Sequence, residues 1–216
     1  MEVKICGIRT LEDAKMCLDA GADTLGFLVG QAHASTDFID IDVAKNIISK
    51  LKAKKFYATL VTHLEDENSI IALIKEGGFN SIQFHSNITD KQVSKVKSAF
   101  PTIRIVRLIH VSQHGEIASN LDEMKIADLY LLDSFNLETN QVGGTGKIHD
   151  WKTSAKLVKQ LNKPAVLAGG LNPDNVLQAI KTVAPFGVDV NSGVKDSNGF
   201  KDKLKVFNFI TTAKRK

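Results

Sequence analysis

The sequence predicts a (β/α)8 barrel formed by residues 1–216 as a single domain, and three observations predict it. Eight short apolar runs alternate with stretches of helical character, an order that calls for a parallel sheet with right-handed crossovers. The runs are rich in Val, Ile, Leu and Ala, as suits strands covered on both faces. The last three, at 129–132, 165–168 and 188–190, each break off into small residues and glycine. These breaks read Asp133-Ser134 followed by Gly143-Gly144-Thr145-Gly146, then Gly169-Gly170-Leu171-Asn172, then Asn191-Ser192-Gly193. Glycine turns let backbone N–H groups close on an oxyanion, and barrels bind phosphate beside strands seven and eight. Together the turns predict one phosphate pocket. Cys6-Gly7-Ile8 after the first run is not the Gly-x-Gly-x-x-Gly of a dinucleotide fold.

Each element follows from its own residues. Residues 3–8 read as a buried strand, and Thr10 caps a helix that runs to residue 20 and stops at Gly21. The second strand is 24–29, followed by an irregular polar segment, 30–40. A helix over 43–54 has apolar residues Val43, Ala44, Ile47, Ile48 and Leu51 on one face. Strand three is 56–62, and its helix, 67–76, ends at Gly77-Gly78. Strand four, 81–84, leads to a helix over 89–99, and strand five is 103–109. A weaker helical stretch over 115–125 precedes strand six at 128–132. The helix over 150–161 is followed by strand seven from Pro164. Asn172-Pro173 supplies an N-cap and an N1 proline for a helix ending near residue 183. Strand eight is 187–190, and the last helix is 200–213.

Composition narrows the function class. With 43% hydrophobic and 24% charged residues the chain resembles ordinary globular proteins able to bury a core. No 18-residue apolar run exists for a membrane span, and the N-terminus lacks the pattern of a signal peptide, so the expectation is a cytoplasmic protein without a membrane partner. The net charge of +4 is spread over scattered lysines, and Lys214-Arg215-Lys216 reads as a fraying tail rather than a nucleic-acid site. Two cysteines, Cys6 and Cys17, argue for neither a disulfide framework nor a structural zinc site.

Six stretches carry a resemblance. They are Lys4-Ile5-Cys6-Gly7-Ile8; Asp19-Ala20-Gly21-Ala22-Asp23 with Leu25-Gly26-Phe27; Leu131-Leu132-Asp133-Ser134; Gly143-Gly144-Thr145-Gly146-Lys147 with Asp150-Trp151; Leu167-Ala168-Gly169-Gly170-Leu171-Asn172-Pro173 with Asn175-Val176; and Val188-Asp189-Val190-Asn191-Ser192-Gly193-Val194. In this order, from end to end, the chain resembles the phosphoribosylanthranilate isomerases of tryptophan biosynthesis. The resemblance implies an Amadori rearrangement of a small phosphorylated sugar-amine, carried out by general acid and base without metal or other cofactor. It makes Cys6 the base and Asp133 the acid. It assigns phosphate to Gly144, Thr145, Gly146, Gly169, Gly170, Ser192 and Gly193. A carboxyl that donates near neutral pH needs a raised pKa, and a thiol that accepts a proton needs nearby positive charge such as Lys4 or Arg9.

Two departures keep alternatives open. Where the family carries a Ser-Pro-Arg segment for the anthranilate carboxylate, this chain reads Gly30-Gln31-Ala32-His33-Ala34-Ser35-Thr36-Asp37, without arginine. Arg9 or Arg107 is then the substitute clamp, and His85, in Gln83-Phe84-His85-Ser86, is a further substrate contact. His33, His63, His85 and His110 each follow a strand, so with Asp133 they form a second reading, a metal-dependent isomerase or epimerase of another sugar phosphate. A non-catalytic phosphate binder is the third reading. Monomer and homodimer are both compatible with the sequence.

Overall fold

The structure, a computed structural model, describes residues 1–31, 36–136, 141–142 and 149–215. Eight parallel strands close into a barrel: β1 (Glu2–Ile5), β2 (Thr24–Leu28), β3 (Tyr57–Thr62), β4 (Ser81–Phe84), β5 (Arg104–Ser112), β6 (Leu129–Asn136), β8 (Ala165–Leu167) and β9 (Gly187–Val190). Each pairs with the next, β6 with β8, and β1 with β9 closes the ring. A two-residue strand, β7 (Gln141–Val142), runs antiparallel along the end of β6. Among the described residues seven α-helices surround the barrel: α1 (Leu11–Asp19), α2 (Ile41–Lys50), α3 (Glu67–Gly77), α4 (Asp90–Ala99), α5 (Trp151–Gln160), α6 (Val176–Val183) and α7 (Lys203–Lys214). None is long and apolar enough to cross a membrane.

Local chemistry sets the helix ends. Thr10 accepts the Asp13 N–H to start α1, and Thr89 with Gln92 forms a capping box on α4. Gly78, at φ 73°, closes α3 in the left-handed region that glycine adopts freely. Two helices begin later than their sequence patterns suggest. Asn172 accepts the N–H groups of Asp174 and Asn175 in a turn that delays α6 to Val176. Lys201 bridges Lys195 in antiparallel fashion, so Asp202 rather than Phe200 starts α7.

The expected helix over 115–125 does not form. Its place holds a bridge between Val111 and Ile117 and one 3-10 turn, Leu121–Glu123. Short polar side chains compete for the backbone here: Ser119 accepts the His110 N–H, and Asn120 accepts that of Asp122. Asp90, at the start of α4, then anchors the segment by accepting from the N–H groups of Lys125 and Ile126.

Alternation sorts the strand side chains into two cores. Val3, Ile5, Leu25, Phe27, Ile105, Ile109, Val188 and Val190 face the helices in one continuous cluster. Val106, Leu108, Leu129, Leu131, Val166 and Ala168 fill the interior on the β5, β6 and β8 side. The other half of the interior is polar, with Lys4, Gln83 and Asp189 all buried. At the bottom Glu2 pairs with Arg104 and accepts from Thr24 Oγ1, and the Arg104 guanidinium stacks 4.0 Å above the Tyr57 ring.

Arg107 shares the helix-facing side of β5 with Ile105 and Ile109. Its guanidinium donates to Asp90 Oδ1 at 2.8 Å and to the Ile88 carbonyl at 2.7 Å. Its place as a substitute carboxylate clamp is therefore corrected: it is 4% exposed and turned away from the mouth. Asp90→Ala, which leaves this cation unpaired, is expected to cost about 2 kcal/mol in urea unfolding, below the value for a fully buried pair because the Asp90 side chain is 26% exposed. The double change Asp90→Ala with Arg107→Leu is expected to recover most of that loss.

Candidate active site

The C-terminal ends of the strands form the mouth, and its chemistry starts one layer down. Lys4 and Asp189 are register partners on β1 and β9, both inward, with Nζ 2.5 Å from Oδ2. Lys4 also donates to Gln83 Oε1 at 2.8 Å, tying β4 to the pair. Burial works against the Lys4 ammonium, yet Asp189 and the Cys6 thiol beside it outweigh this and hold its pKa above the ordinary value.

Cys6 lies one step above Lys4, just past the end of β1, where its N–H bonds the Val190 carbonyl at 2.9 Å. Its neighbour across the strand is Gly26; a Cβ there would stand 2.8 Å from Cys6 Sγ. The thiol is 8% exposed. Burial pushes its pKa up, Lys4 and Lys201 pull it down, and Asp189 pushes with burial.

Asp133 sits near the end of β6. Its Oδ1 accepts the Ser134 N–H at 2.7 Å. Gly169, at φ 78°, is what lets the next loop approach: a Cβ would stand 2.9 Å from that carboxylate oxygen and 2.8 Å from Ser134 N. Burial, with a further push from Asp189, raises the Asp133 pKa to about 6, against opposition from the Ser134 hydrogen bonds and Lys4. A buried carboxyl that is still partly protonated near neutral pH has the property a general acid needs. His110 is its register partner on β5, and burial lowers that imidazole to about 4, so it is neutral at pH 7.

Beside Asp133 the loop after β8 packs against the turn after β9. Gly193 stands so close to Leu171 that a Cβ would lie 1.9 Å from the Leu171 carbonyl oxygen. This contact brings together Gly169, Gly170, Ser192 and Gly193. Gly144, Thr145 and Gly146, expected at the same pocket, lie outside the described residues.

The remaining expectations separate. Arg9 is at the rim, donating to the Thr36 and Gly199 carbonyls at 2.8 and 2.6 Å and stacking over Phe200. It pins two loops together at the edge of the mouth. His85 contacts Gln83 Nε2 at 2.6 Å, and its ring lies 5.0 Å from that of His63, which contacts Gln31. Among the described residues no three His, Cys, Asp or Glu side chains converge on a metal position. His33 lies outside the described residues.

Sequence reasoning passed over Asp189, Gln83, Asn191 and Lys201. The signal for the first two was present: Val188-Asp189-Val190 and Ile82-Gln83-Phe84 place a polar residue inside a run otherwise fit for burial, as Val3-Lys4-Ile5 does. In strands covered on both faces such residues must find one another across the barrel.

Comparison with known proteins follows this geometry. Residues 3–212 match the model of a family described as N-(5'-phosphoribosyl)anthranilate (PRA) isomerase. The N-(5'-phosphoribosyl)anthranilate isomerase 2 of Methanosarcina mazei is 43% identical over 214 residues, covering 99% of this chain and 94% of the relative. Among solved structures, the N-(5'-phosphoribosyl)anthranilate isomerase of Pyrococcus furiosus superposes with a TM-score of 0.81 at 30% identity, covering 99% of this chain and 98% of that one. A phosphoribosylanthranilate isomerase in complex with reduced 1-(o-carboxyphenylamino)-1-deoxyribulose 5-phosphate gives a TM-score of 0.78 at 30% identity with the same coverage.

Gly193→Ala forces the Leu171 carbonyl to move. The expected result is a loss of about 1–3 kcal/mol in urea unfolding and weaker binding of inorganic phosphate by isothermal titration.

Proposed function

The chain belongs to the N-(5'-phosphoribosyl)anthranilate isomerase family, and from that premise we infer that it converts N-(5'-phosphoribosyl)anthranilate into 1-(o-carboxyphenylamino)-1-deoxyribulose 5-phosphate, a step of tryptophan biosynthesis. The observation that carries the residue roles is the placing of Cys6 and Asp133 around one buried ion pair, with Asp133 held near a pKa of 6.

In our reading Asp133, as the carboxylic acid, protonates the furanose ring oxygen as the C1′–O bond breaks, and the anthranilate nitrogen supplies the electrons that form the imine. The Cys6 thiolate then removes the C2′ proton to give the enolamine, which tautomerises to the amino-ketose. Neither step consumes a redox partner. Gly169, Gly170, Ser192 and Gly193, with Gly144, Thr145 and Gly146, are proposed to hold the phosphate, so that C1′ and C2′ hang over the polar half of the interior. His85 is proposed to contact the substrate from the far side of the mouth, since β4 lies opposite β9 in the ring.

The reactive form needs Cys6 deprotonated while Asp133 is protonated. Because burial raises the thiol above its ordinary value and Asp133 titrates near 6, this form is a minor population whose size has a definite pH course. Below pH 6 the carboxyl is protonated and each unit of pH gains tenfold in thiolate. Between the two pKa values the gain in thiolate is offset by loss of carboxylic acid.

The expected kcat/KM profile therefore climbs to a break near pH 6 and then runs level, as measured by the decay of phosphoribosylanthranilate fluorescence. Asp133→Asn is expected to lower kcat by about 10²–10⁴-fold and to remove the break at pH 6; Cys6→Ser is expected to lose a similar factor. Full turnover in either variant refutes the corresponding role.

A further inference from the structure

A cluster of lysines lies behind the strand ends that carry Cys6. Lys4 is paired with Asp189, and Lys195 with Asp37. Lys201 differs from both. It is 6% exposed, and its ammonium donates to two neutral oxygens of one residue, the Asn191 carbonyl at 3.0 Å and Asn191 Oδ1 at 2.9 Å. An ammonium buried against neutral acceptors is costly to desolvate, so its position calls for an explanation beyond packing.

The surroundings supply one. Asn191 follows β9 directly, next to Cys6 across the closing seam of the barrel. Its Nδ2 donates to Asp37 Oδ2 at 2.9 Å, while its Oδ1 stands where a Cβ on Gly7 would come within 2.5 Å. Lys201 and Asp37 thus grip Asn191 from two sides, and Asn191 presses against the glycine that follows Cys6. The charge of Lys4 is largely cancelled by Asp189; among the described residues the hydrogen bonds of the Lys201 ammonium go to Asn191, and Asp37 acts on it from farther off.

We propose that Lys201 is a positioning residue for proton abstraction at Cys6, holding Asn191 and Gly7 against the thiol and supplying from behind the strand the positive charge that favours its thiolate. The proposal rests on the reading of Cys6 as the base. Cys6 is faced by Lys4 on β1, Asp189 on β9 and Lys201; Lys201 is faced by Cys6, Lys195, Asp37 and Cys17, with Asp13 of α1 close by. Desolvation brings Lys201 down to about 8, with Lys195 lowering it further and Cys6, Asp37 and Cys17 opposing. Below pH 8 the ammonium is therefore charged and its support for the thiolate present; above pH 8 it is withdrawn.

Alkylation by iodoacetamide, resolved for Cys6 and Cys17 by peptide mass and followed from pH 6 to 10, reads the thiolate directly. Cys17 is fully buried, which leaves Cys6 as the responsive site. Lys201→Gln keeps a hydrogen-bonding side chain without charge; it is expected to cost roughly tenfold in Cys6 reactivity below pH 8, where the ammonium is charged, with little change above it, and to lower kcat at pH 7 by a similar factor with little change in KM. Lys201→Arg is expected to retain most of both. An unmoved Cys6 profile in folded Lys201→Gln overturns the proposal. Full turnover by Cys6→Ser refutes Cys6 as base, and with it the role of Lys201 in catalysis, whatever the alkylation profiles show.

Discussion

The buried contact between Lys4 and Asp189 is the constraint around which the mouth is arranged. Either ion alone inside a barrel would be expelled or neutralised; together, with Gln83 as a third partner, they make half of the interior polar without leaving a lone charge. That half is where chemistry can be placed. The thiol of Cys6 rests on the pair from above, and Asp133 feels the Asp189 carboxylate from across the interior. The apolar half, from Val106 to Ala168, supplies the desolvation that keeps Asp133 partly protonated. The proposed acid and base thus share one asymmetric filling of the barrel.

The fold was legible because a barrel repeats a simple instruction. Each strand is a short run of branched and aliphatic residues, each helix a stripe at helical spacing, and the stops at Gly21 and Gly78 are local events that need no tertiary information. The expectation failed at 115–125, where Ser119, Asn120 and a remote carboxylate, Asp90, offered the backbone better partners than its own next turn. Part of that competition lies 35 residues away in the sequence, which is why local periodicity missed it.

The site was legible to the extent that it follows strand ends. The glycines at 169, 170 and 193 are named by position, since the ends of parallel strands must gather at one face; Cys6 and Asp133 stand at strand ends too, but the family resemblance is what singles them out. Residue type without orientation misled: Arg107 has the right chemistry for a carboxylate, but strand alternation turns it toward α4. Arg9 is near the mouth and yet engaged with two carbonyls and an aromatic ring. Lys201 gave no signal at all in the sequence, because nothing in Phe200-Lys201-Asp202 says that this lysine is drawn inward by Asn191.

The barrel closes by joining β1 to β9, and this seam also divides the proposed reactive centre between the first and last strands of the barrel. In the chain Cys6 precedes Asp189, Asn191 and Lys201 by more than 180 residues. A nascent chain therefore carries its thiol without the charges that surround it in the finished fold, and gains them as a set when β9 docks. The completed seam and the environment of the thiol therefore arrive in one event.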